Sequence, residues 1–395
     1  MTSDGSRDLD IVIYGATGFT GKLVAEHIRD EVGRGISLRW GLAGRNLNKL
    51  QKVRDELLLP GSVALLVADS DDSQALVKIA SRAKLIISTV GPFQIHGAKV
   101  LAACASQGTD YLDLCGEFNF IQSQIVAQSE NAVASGARIV CSAGFDSTPF
   151  DAGVFFLQKK AEERFGETFE RVKCRVRHAD IPVSGGTIAS FKAFLAAVES
   201  QPDIGSDFDN AFALTPGFRG VGQPDASLPA YEEYWQSWAA PFWMAMINTK
   251  NVHRTNFLLG HPYGRDFQYD EMVLTGPGEA GKHAAELIAE DTSILEDETP
   301  PGEGPSRAER EAGSYDILFL GEGPDDDSLC VSVKGDMDAG YGSTAKIIAE
   351  SALLLIEQPK LSPGGIWTPM ACMGMPLIER LEAKAGLSFS IEEKN

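Results

Sequence analysis

The chain is poor in positive charge. Its 395 residues include 35 Lys and Arg against 55 Asp and Glu, a formal net charge of -20 at pH 7. A surface that binds nucleic acid needs a basic stripe to neutralise phosphates, so the composition predicts no nucleic-acid partner. Residues 279–327 hold 15 acids and only 3 lysines or arginines, and their Pro and Gly content predicts a solvated loop region.

Metal-type spacings and long apolar runs are also absent. None of the six cysteines lies in a CxxC pair and no HExxH occurs, so we predict reduced thiols and no metal site. The apolar stretch 235–247 is shorter than the ~20 residues that span a bilayer. With no apolar signal region near residue 1, the expected location is the cytoplasm, and peripheral membrane contact stays an open alternative.

A glycine-rich turn near the start of the chain carries the most information. Gly15, Gly18 and Gly21 follow the apolar run 11–13 at a spacing of three, and apolar residues at helical spacing come next. In a strand-turn-helix unit such glycines permit the turn, let the backbone approach a pyrophosphate and allow close helix packing. A purely structural turn is the alternative. The predicted dinucleotide-binding residues here are Gly15, Thr17, Gly18, Phe19, Thr20 and Gly21.

The second predicted strand, 37–43, indicates which dinucleotide binds. An acid after this strand would accept a hydrogen bond from the ribose 2'-hydroxyl, whereas an arginine accommodates a 2'-phosphate. No Asp or Glu occurs between Glu31 and Asp55, and Arg45 follows the strand. We therefore predict NADP as the cofactor, with Arg45 at its 2'-phosphate. For Lys52 and Arg54 a solvated helix face is the better interpretation.

Strands and helices alternate through the first 150 residues. Further strands are predicted at 62–68, 84–90, 109–114 and 138–142, and the alternation is typical of a parallel sheet. The expected fold class is α/β, with a Rossmann-type doubly wound parallel sheet. The predicted cofactor contacts at strand ends are Asp69, Ser88, Thr89, Gly91 and Pro92. Asp69 could instead cap the helix that begins near Ser73.

The pattern changes after residue 170. Val172, Cys174 and Val176 alternate with charged residues, which indicates a sheet with one face open to water. We predict an NADP-binding domain at 1–150, a mixed α+β substrate domain at 151–335 and a C-terminal segment at 336–395. An amphipathic helix is expected at 345–356.

Three segments are candidates for contact with a substrate. Asp146 and Ser147 stand at a predicted helix start, where a structural and a substrate role weigh equally. The Gly-rich helix start at 184–187 could hold an anionic or thioester oxygen, although a plain turn is the commoner explanation. The stretch 235–247 could line an apolar pocket, contact a membrane surface or form core.

A reaction in which an NADP cofactor transfers hydride also needs a proton or charge donor, and the sequence does not single one out. Each candidate is individually better explained by a structural role, because none stands in a diagnostic spacing. The candidates are Tyr263, Tyr269, His261, Lys192 and Lys346.

With these residues laid out, the chain resembles the saccharopine dehydrogenase-like oxidoreductases, most closely their trans-acting enoyl reductase branch. The resemblance implies an NADP-type Rossmann domain, a mixed second domain and a C-terminal helix that returns to the first. The matching stretches are IVIYGATGFTG, LAGRN, STVGPF, DYLDLCGE, GFDSTPFDAG, SGGTIAS, GYGSTAKIIAESALLL and GGIWTPMACMG.

The same resemblance implies an NADPH-dependent reduction of an enoyl thioester held on a polyketide synthase, in lipid synthesis. Two alternatives stay open: a saccharopine-type amino-acid reductase and a non-catalytic NADP-binding protein on lipid surfaces. Saccharopine carries several charges, so the apolar stretch 235–247 favours the acyl substrate.

Overall fold

Seven parallel strands form the first sheet of the computed structural model, which describes residues 7–300, 302–323 and 327–393. They are β1 (Leu9–Tyr14), β2 (Trp40–Gly44), β3 (Ala64–Val67), β4 (Ala83–Ser88), β5 (Asp110–Asp113), β6 (Arg138–Val140) and β13 (Gly365–Trp367). Their spatial order is β13-β6-β5-β4-β1-β2-β3. Because the order reverses on either side of β1, the sheet is of the doubly wound Rossmann type, as predicted.

Helices cover both faces of this sheet because β1 is apolar on both. These helices are α1 (Phe19–Gly33), α2 (Leu47–Glu56), α3 (Ser73–Arg82), α4 (Phe93–His96), α5 (Ala98–Gln107), α6 (Phe118–Ser135) and α13 (Thr344–Glu357). Ile11 and Ile13 pack in one core with α1, α2 and α13, whereas Val12 and Tyr14 pack in another with α3, α5 and α6. Burial on both faces is what an all-parallel sheet requires.

The second sheet is mixed. Its order is β14-β12-β11-β7-β10-β9-β8, and only the β7–β10 pair among the described strands is parallel. The strands are β7 (Arg171–Ala179), β8 (Ala230–Glu232), β9 (Ser237–Pro241), β10 (Gln268–Gly276), β11 (Tyr315–Glu322), β12 (Ser328–Gly335) and β14 (Leu387–Glu392). This arrangement confirms the predicted mixed α+β part of the fold.

The remaining helices lie between and around the sheets. They are α7 (Thr148–Phe165), α8 (Gly185–Ser200), α9 (Pro202–Asp207), α10 (Ala245–Leu258), α11 (Gly278–Glu290), α12 (Arg307–Ala312), α14 (Pro369–Met373) and α15 (Met375–Lys384). Short 3-10 and π-helical turns occupy Ser293–Leu295 and Ala339–Ser343. No helix in the described ranges combines the length and apolar character that crossing a bilayer requires.

The last 60 residues connect the two sheets. Helix α13 packs against α1 and β4, so it returns to the first sheet as the resemblance implied. Strand β13 then joins β6 of the first sheet, and β14 joins β12 of the second. The boundaries proposed at residues 150 and 335 stay a prediction.

Two sequence expectations were wrong in part. Residues 279–327 are not a continuous loop, because they include most of α11, all of α12 and β11; residues 301 and 324–326 lie outside the described part. The water-exposed face expected for β7 is also partly closed. Arg175 is only 2% exposed, since its guanidinium pairs with Glu232 and Asp270.

Candidate NADP-binding active site

The turn between β1 and α1 is shaped by its glycines. Gly15 has φ +92°, a left-handed conformation that favours glycine. A Cβ on Gly21 would lie 2.3 Å from the carbonyl oxygen of Gly15, so only glycine permits this helix-turn contact. A Cβ on Gly18 would have one neighbour within 4 Å, the Gly15 oxygen at 3.3 Å. Gly18 therefore keeps the approach to the turn open.

The N-terminus of α1 is suited to bind an anion. Gly18 is its N-cap and gives no side-chain cap, and the first turn contains no acidic residue. The first N–H groups of a helix have no partner within the helix, and the helix dipole adds positive potential there. The N–H of Gly18 donates to Gly15 O at 2.9 Å, and a phosphate next to Phe19 and Thr20 would satisfy the N–H groups that follow.

A cavity of about 440 Å³ lies at the carboxyl edge of the first sheet. The loops after β1, β2, β4, β5 and β6 contribute to it, together with α8, the start of α10 and the turn Ala339–Ser343. We call the part beside β2 and β3 the β2 side, and the part beside β5 and β6 the β6 side. This edge is where doubly wound sheets bind their ligands.

Arg45 lies on the β2 side, directly after β2, and lines the cavity. Its side chain is exposed and makes no ion pair or hydrogen bond within residues 7–300, 302–323 and 327–393. Arg39, which precedes β2, by contrast pairs with Asp10 at 2.9 Å. The unpaired Arg45 and the open glycine turn together fit a dinucleotide with a 2'-phosphate.

The β6 side has apolar walls. Phe194 packs edge-on against Phe118, which follows β5, with ring centroids 5.4 Å apart. Phe191 and Trp243 lie 6.0 Å apart in the same way, and Trp243 is 41% exposed. The apolar side chains that line this side are Leu114, Phe191, Phe194, Trp243, Met244, Met246 and Ile247. Part of the stretch 235–247 thus lines the cavity, which was one of its three predicted roles.

Asp146 brings a carboxyl group to these walls. It follows β6 in the loop 143–147, lines the cavity and has no hydrogen-bond or ion-pair partner among the described residues. Although its side chain is partly exposed to the cavity, the surrounding protein desolvates it and raises its pKa to about 7. A carboxylic acid with that pKa can exchange a proton near neutral pH.

Comparison with known proteins agrees with this geometry. Residues 11–140 match the family model of the saccharopine dehydrogenase NADP binding domain. A trans-acting enoyl reductase of Mycobacterium ulcerans is 33% identical over 408 residues, covering 96% of this chain and 97% of the relative. A Mycobacterium tuberculosis protein to which the same activity is provisionally assigned is 36% identical over 415 residues, 97% of each chain.

The chain belongs to the trans-acting enoyl reductase branch of the saccharopine dehydrogenase-like family. The domain match also confirms NADP as the cofactor. Among solved structures, a homospermidine synthase from Legionella pneumophila has a TM-score of 0.57 at 11% identity, covering 97% of this chain and 91% of that one. That likeness concerns the fold alone.

In this enoyl reductase-like chain, most of the predicted cofactor residues line one cavity. Those that line it are Gly15, Thr17, Gly18, Phe19, Thr20, Arg45, Thr89 and Gly91. Gly21 acts through its contact with Gly15, whereas Ser88 is buried and Pro92 is not in the lining. Asp69 is exposed and accepts a hydrogen bond from Asp71 N, while Asp72 caps α3. The neighbouring Ser70 lines the cavity instead.

None of the candidate proton donors named from sequence lines the cavity. Lys192 donates to the carbonyl oxygen of Asp297, and Lys346 pairs with Asp336. The candidates were Tyr263, Tyr269, His261, Lys192 and Lys346. The two tyrosines are buried in the core, so they cannot reach a molecule in the cavity.

Sequence reasoning missed Glu117 and Tyr341 as cavity residues because they come from distant segments, although it had named the helix start 184–187 as a candidate for contact with a substrate. Glu117 accepts hydrogen bonds from Phe93 N at 2.7 Å and Gln94 N at 2.8 Å. Tyr341 Oη accepts from Ser184 N at 2.6 Å and lies 2.5 Å from Thr187 Oγ1. The matching stretches DYLDLCGE, SGGTIAS and GYGST contain these residues, but no spacing links them in sequence.

Below Asp146, a buried polar network holds the loop. Ser147 has φ +112°, which is strained for a residue with a Cβ. Its hydroxyl donates to Asn248 Oδ1 at 3.0 Å and accepts from Asn251 at 2.8 Å. Asn248 in turn donates to Glu271 at 2.9 Å, and Tyr269 donates to the same carboxyl group. A strained backbone conformation of this kind persists only where the surrounding contacts hold the residue in place.

The titration of Glu271 gives a stability prediction. Burial raises its pKa from an ordinary 4.5 to about 8 in the folded protein. Between these values the unfolded chain releases the proton and the folded chain keeps it, so stability falls as pH rises. Relative to Glu271→Gln, the wild type should lose roughly 2–4 kcal/mol of unfolding free energy between about pH 5 and pH 8. Chemical denaturation at both pH values measures the difference.

Glu286 is the matched control for this experiment, because it is an exposed glutamate on α11. The Glu286→Gln variant should follow the wild type at both pH values. Parallel stability curves for Glu271→Gln and the wild type would contradict the assigned titration.

One cluster of a histidine and two glutamates outside the cavity places possible metal-ligand atoms close together. His27, Glu31 and Glu350 offer ligand atoms within 4.8 Å of one another. Their carboxylates already pair with cations, however: Glu350 with Arg380 at 2.7 Å, and Glu31 with Arg34 and Lys384. The cluster therefore joins α1, α13 and α15 by ion pairs, and the added positive charge opposes a metal ion.

Proposed function

We propose that this protein is an NADPH-dependent reductase of an enoyl thioester of the polyketide or fatty-acyl type. One observation carries the proposal: the cavity that begins at the glycine turn and Arg45 continues to a β6 side with apolar walls and a carboxylic acid. Its mycobacterial relatives are named as trans-acting enoyl reductases, which supports the same reaction.

The chemistry divides between the cofactor and the chain. When bound, NADPH supplies a hydride for the β-carbon of the enoyl thioester. The helix start at Gly18 and the Arg45 guanidinium hold phosphates, while Phe194 and Trp243 exclude water from the acyl chain. Hydroxyl groups of Thr187 and Ser190 line the cavity and are suited to donate to the thioester oxygen as it gains negative charge.

The lining charges argue against an amino-acid substrate. No Lys, Arg or His is among the described residues that line the β6 side. Arg45 and His96 line the cavity on the β2 side. There His96 Nδ1 lies 3.3 Å from Ser70 Oγ. The carboxylates of lysine-pathway substrates would face apolar walls and the carboxyl groups of Glu117 and Asp146. Burying unpaired charge in such a place is costly.

The substrate is proposed to arrive on a carrier domain of a separate polyketide synthase in lipid or glycolipid synthesis. The word trans-acting in the relatives' names and the apolar walls support this partner. The partly exposed Trp243 also supports peripheral contact with a membrane.

The proposal is tested with purified protein, NADPH and enoyl thioesters on coenzyme A and on an acyl carrier domain. We expect one NADPH consumed for each double bond reduced, with the saturated acyl product identified by mass spectrometry. Long-chain thioesters should be better substrates than short ones, and lysine or glutamate with aminoadipate semialdehyde should give no turnover. NADPH binding without reduction of any thioester would overturn the proposal. If the protein then also floated with lipid vesicles in a density gradient, a non-catalytic lipid-associated role would be favoured.

A further inference from the structure

We infer that Asp146 is the proton donor to the α-carbon of the substrate, held in place by the buried contacts of Ser147. The inference rests on the proposed function, because it names the residue that completes that reaction. It begins from geometry: Asp146 is a carboxyl group of the cavity lining without a partner in the described part of the chain.

Two other titratable groups of the lining, Glu117 and Tyr341, are already engaged. Burial raises the pKa of Glu117, but both of its carboxylate oxygens accept backbone N–H groups, so this carboxyl group is already engaged. Tyr341 Oη accepts from Ser184 N and bonds to Thr187. The titratable and charged side chains of the lining are Tyr14, Arg45, His96, Glu117, Asp146 and Tyr341. Of these, Arg45 and His96 belong to the β2 side, which leaves Asp146 as the available acid near the apolar walls.

The backbone around Asp146 is fixed rather than free to adapt. Ser147 is strained, and its hydroxyl joins two asparagines of α10. On the other side of Asp146, Phe145 N donates to Thr344 Oγ1 at 3.0 Å. The loop is therefore held from α10 and from the start of α13, and both restraints keep the intervening side chain directed to the cavity. A donor must be positioned in this way before the substrate binds.

The proton balance is complete. As the β-carbon gains the hydride, the π electrons of the double bond move to the α-carbon and the thioester oxygen. The carboxylic acid of Asp146 gives its proton to the α-carbon and becomes a carboxylate, and water returns a proton to it after the product leaves. The raised pKa of this group keeps a neutral, donating fraction present near pH 7.

The test compares Asp146→Asn with the wild type and with Asp151→Asn. Asp151 is the matched control: it lies in the first turn of α7, its pKa is also raised to about 7 by burial, and it does not line the cavity. Asp146→Asn should bind NADPH normally, since its side chain keeps the same size, but turn over about 10²- to 10⁴-fold more slowly. Asp151→Asn should keep the wild-type pH profile of kcat.

The pH profile distinguishes a donor from a structural residue. Wild-type kcat should fall as pH rises through about 7, because the donating acid is lost, whereas the residual rate of Asp146→Asn should be flat there. Formate should partly restore Asp146→Ala, since a small acid can occupy the vacated space. In the protein without cofactor, the infrared band of protonated carboxyl groups that titrates near pH 7 should be weaker in Asp146→Asn than in the wild type, with the contribution of Asp151 remaining.

The outcomes separate this inference from the proposed function. If the wild type reduces enoyl thioesters and Asp146→Asn does so at a similar rate with the same pH profile, the inference is overturned and the function stands. If the wild type reduces none of them while binding NADPH, both are overturned. Loss of the pH dependence together with formate rescue supports the inference.

Discussion

Gly18→Val should weaken NADPH binding by about 100-fold or more, equal to roughly 2.7 kcal/mol, while the protein stays folded. The Cβ of Gly18 would have the Gly15 oxygen at 3.3 Å as its one protein neighbour within 4 Å, and the glycine has φ -78°, which valine adopts readily. The added side chain would therefore occupy the approach to the helix start rather than disturb the core. Fluorescence titration with NADPH and a thermal melt measure the two effects.

Gly33→Val is the matched control, because Gly33 ends the same helix and an added Cβ there would meet nothing within 4 Å. It should bind NADPH as the wild type does. Unchanged NADPH affinity in Gly18→Val would show that the dinucleotide does not approach the start of α1, and the assigned cofactor site would have to be abandoned.

Arg45→Ala should weaken NADPH much more than NADH. The guanidinium has no partner in the described part of the chain and lines the cavity after β2, where the ribose 2'-position of a dinucleotide lies. Removing a charge-assisted contact to the 2'-phosphate should cost roughly 1.5–3 kcal/mol, or about 10- to 150-fold in NADPH affinity. NADH has no phosphate there, so its affinity should change little. Isothermal titration with both nucleotides gives the ratio.

Lys52→Ala provides the control for charge alone. Lys52 lies on α2 at 75% side-chain exposure with Glu56 as its ion-pair partner, so its loss should leave both affinities unchanged. An equal loss of NADPH and NADH affinity in Arg45→Ala would remove Arg45 from the 2'-phosphate.

The two halves of the molecule have different tasks in this arrangement. The first sheet supplies the glycine turn and Arg45, which are predicted to recognise the nucleotide. Helices α8 and α10 supply the apolar walls, and α10 also holds Ser147 through Asn248 and Asn251. In the mechanism that we propose, substrate specificity and proton delivery therefore depend on contacts between segments more than 100 residues apart.

The first sheet could be predicted almost completely from the sequence. Strands β1 to β6 lie within or close to the predicted ranges, because short apolar runs separated by amphipathic helices are a strong local signal, whereas β13 was not predicted. The second sheet was predicted less well. The burial of Arg175 depends on Glu232 and Asp270, which belong to other strands. A local alternation of apolar and charged residues cannot reveal such partners.

The sequence by itself determined the strand, glycine turn and helix on which the dinucleotide site is predicted, because these features are local: three glycines at a spacing of three, an apolar strand before them and an arginine after the next strand. Only the tertiary structure showed which candidate side chains line the cavity. From the sequence, Tyr263, Tyr269 and Lys192 were weak donor candidates and Asp146 had equal weight between a structural and a substrate role; folding buried the two tyrosines and paired the lysine. Asp146 was distinguished by desolvation and by a strained neighbour held from α10, and these properties arise from segments distant in sequence that meet at one edge of the sheet.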